Sequence, residues 1–261
     1  MIRNLGICIL LALAWTMVPG CGETAKPGPS PSAGNNPTNT GKDMSTTNVS
    51  TSKAGDGDTK KEDTKKEEAK DDKPKRAEAV LAGGCFWCVE AVFEELDGVI
   101  SAESGYAGGT AETANYEAVC SGTTKHAEVV RIIYDPSKVS FDRLLAIHFA
   151  THDPTTLNQQ GNDFGPQYRS AIFYASDEEK RAAQAMIDHL NEAKVFPRKI
   201  VTTLEPLEKF YMAEPYHQDY VCNNPRNPYV QHVAMEKVDK VRKKFGEELK
   251  EKSPIKWAPN E

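Results

Sequence analysis

Gly83-Gly84-Cys85-Phe86-Trp87-Cys88-Val89-Glu90 is the stretch on which the fold of this chain turns. Upstream, Glu78-Ala79-Val80-Leu81-Ala82 reads as a short strand ending in the glycine pair. Downstream, Val89, Val92, Phe93 and Leu96 recur at helical spacing, and Gly98 closes the run. Cys85 is therefore placed where a strand turns into a helix, at or just before the first turn. Free backbone N–H groups and the positive end of the helix dipole gather there. That setting predicts a thiol with a lowered pKa and an enlarged thiolate fraction at neutral pH. The glycines let backbone and substrate approach each other with no Cβ between them. Phe86 and Trp87 read either as core residues or as the apolar wall of a pocket. Cys85 itself reads as reactive or as a buried structural cysteine, and its position favours the first.

Outside this stretch the composition divides the chain. Of its 261 residues, only those after Arg76 have the apolar content of a folded domain, roughly 170 residues, which is one ordinary domain. The net charge of −6 shows none of the basic excess that nucleic-acid binding requires. The six cysteines are scattered: Cys8 and Cys21 near the start, Cys85 and Cys88 paired, Cys120 and Cys222 isolated. That is not the framework of a small disulfide-stapled protein.

Met1 to Cys21 has the layout of an export signal. Arg3 supplies the positive start, and Leu5 to Trp15 is an apolar run too short to span a bilayer. Val18-Pro19-Gly20-Cys21 resembles a bacterial lipobox, in which the cysteine is lipidated and becomes the first mature residue. Pro19 departs from the usual pattern, and the plainer readings are an ordinary signal peptide or an uncleaved anchor. The expectation is a signal over 1–20, lipidation at Cys21 and a membrane-anchored, exported protein facing the periplasm or the cell exterior. Residues 21–76 read as a disordered tether. Its first half is Pro, Ser, Thr and Asn, and its second alternates Lys with Asp and Glu, too polar to offset the entropy of ordering.

From 77 to 249 the chain alternates between strand and helix periods, and 250–261 reads as a tail. Strands are expected at Val99–Tyr106, Ala127–Tyr134, Tyr168–Tyr174 and Ile200–Leu207. Helices are expected from Ser140 to Phe149, from Ser176 to Lys194 with Glu179 completing a capping box, over a short Pro215–Val221, and over a basic amphipathic Val230–Leu249. Thr151 to Gln167 is a long polar loop of the kind that carries function. The order fits a two-layer domain of α/β or α+β class.

A family resemblance now appears. Gly84-Cys85-Phe86-Trp87-Cys88-Val89-Glu90 resembles the signature of peptide methionine sulfoxide reductase A, in its Cys-Phe-Trp-Cys form. The likeness continues in order through Gly105-Tyr106-Ala107-Gly108-Gly109, Tyr116 to Gly122, His126 to Val130, Tyr134-Asp135-Pro136, His152-Asp153-Pro154 and Gln160 to Asp163. It then takes in Gln167-Tyr168-Arg169-Ser170. It covers about Ala79 to Val230. The resemblance implies an α+β fold, a two-layer α/β sandwich with a ferredoxin-like core. It implies reduction of methionine S-sulfoxide, free and in oxidised proteins, with no cofactor and no metal.

The residue types suit that chemistry. A thiolate attacks the sulfur of the sulfoxide, methionine leaves, and the cysteine becomes a sulfenic acid. The reaction needs a thiolate, an apolar slot for the methyl group and donors for the oxygen. The resemblance assigns Cys85 as nucleophile, Phe86 and Trp87 as the methyl pocket, Glu128 as the acid, Tyr116 and Tyr168 as hydrogen-bond donors to the oxygen, and Asp163 as support. Each has a plainer reading: Glu128 as a solvent-facing strand residue, the tyrosines as core or surface, Asp163 as a turn residue. His126, His152 and His217 lack metal-ligand spacing with the cysteines and read as structural. Cys120 reads as a small buried hydrophobe.

Many relatives keep resolving cysteines in a glycine-rich C-terminal tail, whereas Pro228-Tyr229-Val230-Gln231-His232 has none. Cys88 is the favoured resolving cysteine, since residues one helical turn apart have Cα atoms about 5 Å apart. Cys222 is its rival, acting on Cys85 directly or taking the disulfide onward from Cys88. The expected reductant is thioredoxin or a thioredoxin-like partner outside the cytoplasm, and the expected assembly is a monomer. Two other classes compete: a thiol–disulfide oxidoreductase using Cys85 and Cys88 as a C-x-x-C, and a non-catalytic binding module on a lipid tether. A zinc site would need a further ligand pair, which the sequence lacks.

Overall fold

The stretch around Cys85 folds as strand, turn and helix in the computed structural model, which describes residues 76–255. The signal, Cys21, the tether and residues 256–261 lie outside the described residues. β1 is Ala77–Gly83 and α1 is Phe86–Glu94. There follow β2 (Val99–Ala107), α2 (Tyr116–Cys120), β3 (Ala127–Tyr134) and α3 (Phe141–Thr151). A small hairpin of β4 (Gln159–Gln160) and β5 (Asp163–Phe164) precedes β6 (Ser170–Tyr174) and α4 (Asp177–Glu192). The C-terminal part holds β7 (Thr203–Pro206), β8 (Phe210–Met212), α5 (Tyr220–Asn223) and α6 (Met235–Lys244).

The sheet has six strands in the order β7-β6-β1-β3-β2-β8. Its middle four, β6-β1-β3-β2, are mutually antiparallel. With α1 and α3 as the crossovers they make the ferredoxin-like β-α-β-β-α-β unit that the family resemblance implies. β7 adds to one edge in parallel and β8 to the other antiparallel.

Strand alternation sends Ala79, Leu81, Val130 and Ile132 to a core shared with Phe93, Leu144 and Val238, on the face that α1, α3 and α6 cover. The opposite face holds a smaller cluster of Val80, Ala82, Ala107, Ala127, Val129, Ala171 and Phe173. A flat sheet of this width would hold its edges about 24 Å apart. The link Leu207–Lys209 between the edge strands β7 and β8 reaches only about 14 Å. The sheet is therefore curled, and Leu207 and Phe210 pack on the smaller cluster from that link.

Several elements differ from the sequence reading, each for a local reason. The strand expected from Tyr168 starts at Ser170, because Gly165 (φ 140°) and Pro166 open a 3₁₀ turn that carries Tyr168. The short helix expected at Pro215–Val221 is split. A 3₁₀ turn covers Pro215–His217, Asp219 sits in the left-handed region (φ 53°), and α5 follows. The long C-terminal helix starts with a π-wound turn at Val230–Ala234 and ends at Lys244, before Gly246. α6 and the chain after it are both fastened to the end of α1: Arg242 of α6 donates two hydrogen bonds to the buried carboxylate of Glu95, the C-cap of α1, and Ser253 donates to the same group.

Candidate active site

Cys85 is the N-cap residue of α1 (φ −53°, ψ 123°), and no side chain caps this helix. The turn into it is tight. Gly84 has φ +94°, and a Cβ there would lie 2.5 Å from Cγ of Gln160. Residue 84 must therefore be glycine both for its backbone and for the close approach of the 151–167 loop. The loop's backbone is itself held by Gln160, whose side chain accepts from Asp153 N and donates to Asp153 O.

The first-turn N–H of Phe86 donates to Glu128 Oε2 at 3.0 Å. Glu128 reaches this point because residues 128, 130 and 132 of β3 face the helix layer. It is 2% exposed, so it is not the solvent-facing strand residue of the plainer reading. Burial raises its pKa to about 8, against the pull of the Phe86 N–H, and nearby Asp163 and Cys88 raise it further. At neutral pH Glu128 is a carboxylic acid with a proton to give.

The two thiols of the motif are both buried and reduced. The sequence predicts a lowered pKa for Cys85; the structure reverses this. Burial pushes the Cys85 thiol up, and the hydrogen bond to Cys88 and the charges of Cys88 and Glu128 add to it. Cys88 is instead lowered to about 7, first by the hydrogen bond from Cys85. Desolvation outweighs the helix terminus at Cys85, and the pair's thiolate rests one turn further on.

Tyr116 at the start of α2 and Tyr168 on the 3₁₀ turn are both half-buried. Burial raises both phenols first, and both feel the charges of Glu128 and Cys85. They stay protonated donors at any working pH. Asp163 is brought in by the β4–β5 hairpin and accepts from Tyr229 Oη at 2.6 Å. Cys120 is not the buried small hydrophobe expected. It is half-buried and hydrogen-bonded to Tyr116, and burial raises its pKa.

Phe86 is 1% exposed and packs against Tyr106 and His217, with ring centroids 5.9 and 4.9 Å away. Trp87 is half-buried. Its indole stacks on Tyr220 at 3.7 Å and 7°, meets Tyr229 edge-on at 6.1 Å, and donates its N–H to Nδ1 of His217 at 3.1 Å.

The structure thus brings together Cys85, Cys88, Phe86, Trp87, Glu128, Tyr116, Tyr168 and Asp163. Cys222 stands apart. Its sulfur contacts Glu94 Oε2 at 3.9 Å and the Pro254 carbonyl at 3.7 Å. Glu94 is the last residue of α1, at the other end of that helix from Cys85. Burial and the carboxylates of Glu94, Asp219 and Glu90 also push the Cys222 thiol up to about 12.

The sequence reading missed Tyr229. Its hydroxyl meets Cys88 Sγ at 3.8 Å as well as Asp163, and burial and the two cysteines push its pKa upward. The Asn227-Pro228-Tyr229 turn signal was visible, but nothing local indicates a contact with a residue 141 positions away.

The family model described as peptide methionine sulfoxide reductase matches residues 77–249. A curated peptide methionine sulfoxide reductase MsrA from Deinococcus radiodurans is 50% identical over 173 residues, covering 66% of this chain and 84% of that one. MsrA 1 of Rhodopirellula baltica is 52% identical over 178 residues, 68% of this chain and 92% of that one. Among solved structures, reduced Mxr1 from Saccharomyces cerevisiae is similar at 36% identity and a TM-score of 0.55, over 61% of this chain and 92% of that one. Methionine sulfoxide reductase A of Corynebacterium diphtheriae is similar at 35% identity and a TM-score of 0.52, over 59% and 77%.

Proposed function

The chain belongs to the peptide methionine sulfoxide reductase family and reduces methionine sulfoxide to methionine, and on that premise we propose how its residues divide the reaction. The methyl group of the S-sulfoxide enters the slot of Phe86 and Trp87. The proton shared between the two thiols moves from Cys85 to Cys88 along their hydrogen bond, leaving a thiolate on Cys85. Cys85 Sγ attacks the sulfoxide sulfur while Glu128 protonates the oxygen, with Tyr116 and Tyr168 donating hydrogen bonds to it. The hydroxyl then passes from the substrate sulfur to Cys85 Sγ, so that the S–O bond and the new sulfur–sulfur bond both break: methionine leaves reduced and Cys85 carries the oxygen as a sulfenic acid. Cys88 then attacks Cys85 Sγ. The disulfide forms, hydroxide departs and takes a proton to become water. A thioredoxin-like dithiol reduces the disulfide and restores both thiols.

The observation that carries this reading is the Phe86 N–H to Glu128 bond at 3.0 Å. It fixes a buried carboxylic acid against the helix start that bears the nucleophile. Resolution within the motif is favoured by the burial of Cys88 beside Cys85 and by the contact of Cys222 with Glu94, at the other end of α1. The layout of residues 1–21 supports export and a lipid anchor at Cys21, and with them a reductant outside the cytoplasm. Loss of the protein from the membrane fraction on Cys21→Ala tests the anchor.

Disulfide mapping tests the chemistry. The reduced chain is given excess methionine S-sulfoxide and no reductant. One equivalent of methionine with a Cys85–Cys88 bond is expected. A bond to Cys222 would move resolution to the C-terminal region. No methionine, Cys85 left as a thiol and reduction of insulin would favour the thiol–disulfide oxidoreductase.

A further inference from the structure

His217 is buried to 1% exposure among the aromatic rings of the site and has no role in the reaction sequence above. Its ring centroid lies 4.9 Å from Phe86, 5.6 Å from Trp87, 4.4 Å from Tyr116 and 4.1 Å from Tyr216. We propose that His217 is a positioning residue for the methyl pocket: as a neutral imidazole protonated on Nε2, it locks the rotation of the Trp87 indole. The inference rests on the reading of Phe86 and Trp87 as the substrate's methyl slot.

The tautomer follows from hydrogen-bond chemistry. Indole N–H is a donor and never an acceptor. The Trp87 Nε1–His217 Nδ1 contact of 3.1 Å therefore requires a bare Nδ1, which puts the single ring proton on Nε2. Nε2 points toward Glu214 Oε2 at 3.9 Å and has no hydrogen-bond partner. Glu214 cannot swing closer without loss, because its carboxylate accepts from Tyr106 Oη at 2.8 Å and from Tyr116 N at 2.9 Å. His217 is thus held on one side by a fixed anion and on the other by the indole it positions. Nδ1 is committed to the indole, and the Nε2 proton faces the Glu214 carboxylate.

Stacking on Tyr220 fixes the plane of the Trp87 ring but leaves rotation within that plane free; the bond to His217 removes it. Neither support belongs to α1. Both come from the segment after β8, which Gln218 fastens to β2 by accepting from Ser104 N and donating to Ser104 O, each at 3.0 Å. A residue acting this way sets affinity for the sulfoxide side chain and leaves the chemical step alone.

The test uses the full chain with His217→Phe, which keeps a ring but no acceptor, and His217→Asn, whose side-chain oxygen replaces Nδ1. Steady-state kinetics with methionine S-sulfoxide and an excess of a dithiol reductant give KM and kcat. Hydrogen exchange of the Trp87 indole N–H by NMR, assigned with Trp87→Phe, reports the bond itself. His217→Phe is expected to raise KM about tenfold, to leave kcat within about twofold, and to lose indole protection. His217→Asn should restore both. Trp87→Phe should raise KM as much, with no further effect of adding His217→Phe. Should Trp87→Phe leave KM unchanged, the pocket reading falls and the inference with it. If Trp87→Phe raises KM while His217→Phe does not, only the inference falls. A large loss of kcat at unchanged KM in His217→Phe would overturn it in favour of a chemical role.

The wild-type chain provides a check that needs no variant. The groups facing the ring are Glu214 and Tyr216 on its own segment and Tyr116 on α2; Trp87 and Phe86 on α1 carry no charge. Protonating Nδ1 on acidification must break the indole bond, so protection and low KM should be lost with one midpoint, below the ordinary histidine range. An indole that stays protected with His217 charged would refute the assignment.

Discussion

Replacing Glu128 by glutamine separates proton donation from every other property of that side chain. The amide oxygen can still accept from the Phe86 N–H, which donates to Glu128 at 3.0 Å, so the helix start and the placement of Cys85 should persist. What disappears is the proton. With its pKa raised to about 8, Glu128 is roughly nine-tenths protonated at pH 7 and roughly one-tenth at pH 9. A reaction that needs that proton must fade as pH rises through 8. On the acid side the thiol pair gives up its first proton at about 7, from Cys88, so at pH 6 only roughly a tenth holds a thiolate. The wild-type profile of single-turnover methionine release should therefore be a narrow bell between those two values. In Glu128→Gln the rate should fall about 10² to 10⁴-fold, some 3–5 kcal/mol of barrier. The limb near 8 should vanish while the limb near 7 remains.

Stability should move the other way. The folded pKa of Glu128 is raised from 4.5 to about 8, so its contribution is fully present below 4.5 and is lost as pH rises through 8. The wild type then concedes about 3 kcal/mol at pH 7 to keep this acid buried. Glutamine concedes none, so the variant should unfold at higher denaturant at pH 7–8, with the difference fading toward pH 4.5. A less active and more stable protein is the joint outcome. The reasoning fails if Glu128→Gln keeps activity within about tenfold of wild type, or if the limb near 8 survives the substitution.

Cys88→Ser should still release one equivalent of methionine but leave Cys85 as a sulfenic acid, trapped by dimedone and weighed by mass spectrometry. Cys222→Ser should form the Cys85–Cys88 bond at the wild-type rate; a Cys85–Cys222 bond forming at that rate in Cys88→Ser would make Cys222 an equal resolving cysteine. Tyr229→Phe removes the hydroxyl that contacts Cys88 and Asp163. Because that bond helps lower the Cys88 pKa, the thiolate absorbance should titrate at a higher pH; an unchanged titration would count against it. Glu90, 1% exposed, also has its pKa raised by burial to about 8. Glu90→Gln should therefore stabilise the domain against urea at pH 8 and much less at pH 5, and equal effects at both would show that the charge is not the cause.

What was legible in the sequence follows the range of the interactions involved. The Gly-Gly-Cys turn, the strands Val99–Ala107 and Ala127–Tyr134 and the capped helices at Ser140 and Ser176 are written in periodicity and caps within a few residues. The curl of the sheet is not. It follows from a three-residue link between opposite edges, which has meaning only once β8 pairs with Ala107, Tyr106 and Gly105. β8 itself, Phe210–Met212, is too short to show a period. α2 is five residues long and rests on the Asn115 cap, which accepts from Ala118 N.

The same distinction explains why Cys85 could be singled out from its position while its acidity was misjudged. A helix start can be read from neighbours in sequence and argues for a low pKa. Burial depends on what closes over the site, and here that cover comes from Glu128 on β3 and from Tyr229, more than 140 residues downstream of Cys85. Desolvation raises Cys85 while the hydrogen bond it donates lowers Cys88, and in the proposed reaction the second cysteine therefore accepts the proton of the first before it resolves it. With glycine at 88 that acceptor is missing and the thiolate at 85 has to be stabilised by other means. Substitution of Cys88 should then slow the attack of Cys85 on the sulfoxide as well as the later disulfide step, most clearly below pH 8. A Cys88→Gly protein that releases its first methionine at the wild-type rate at pH 7 would show that the helix terminus alone suffices.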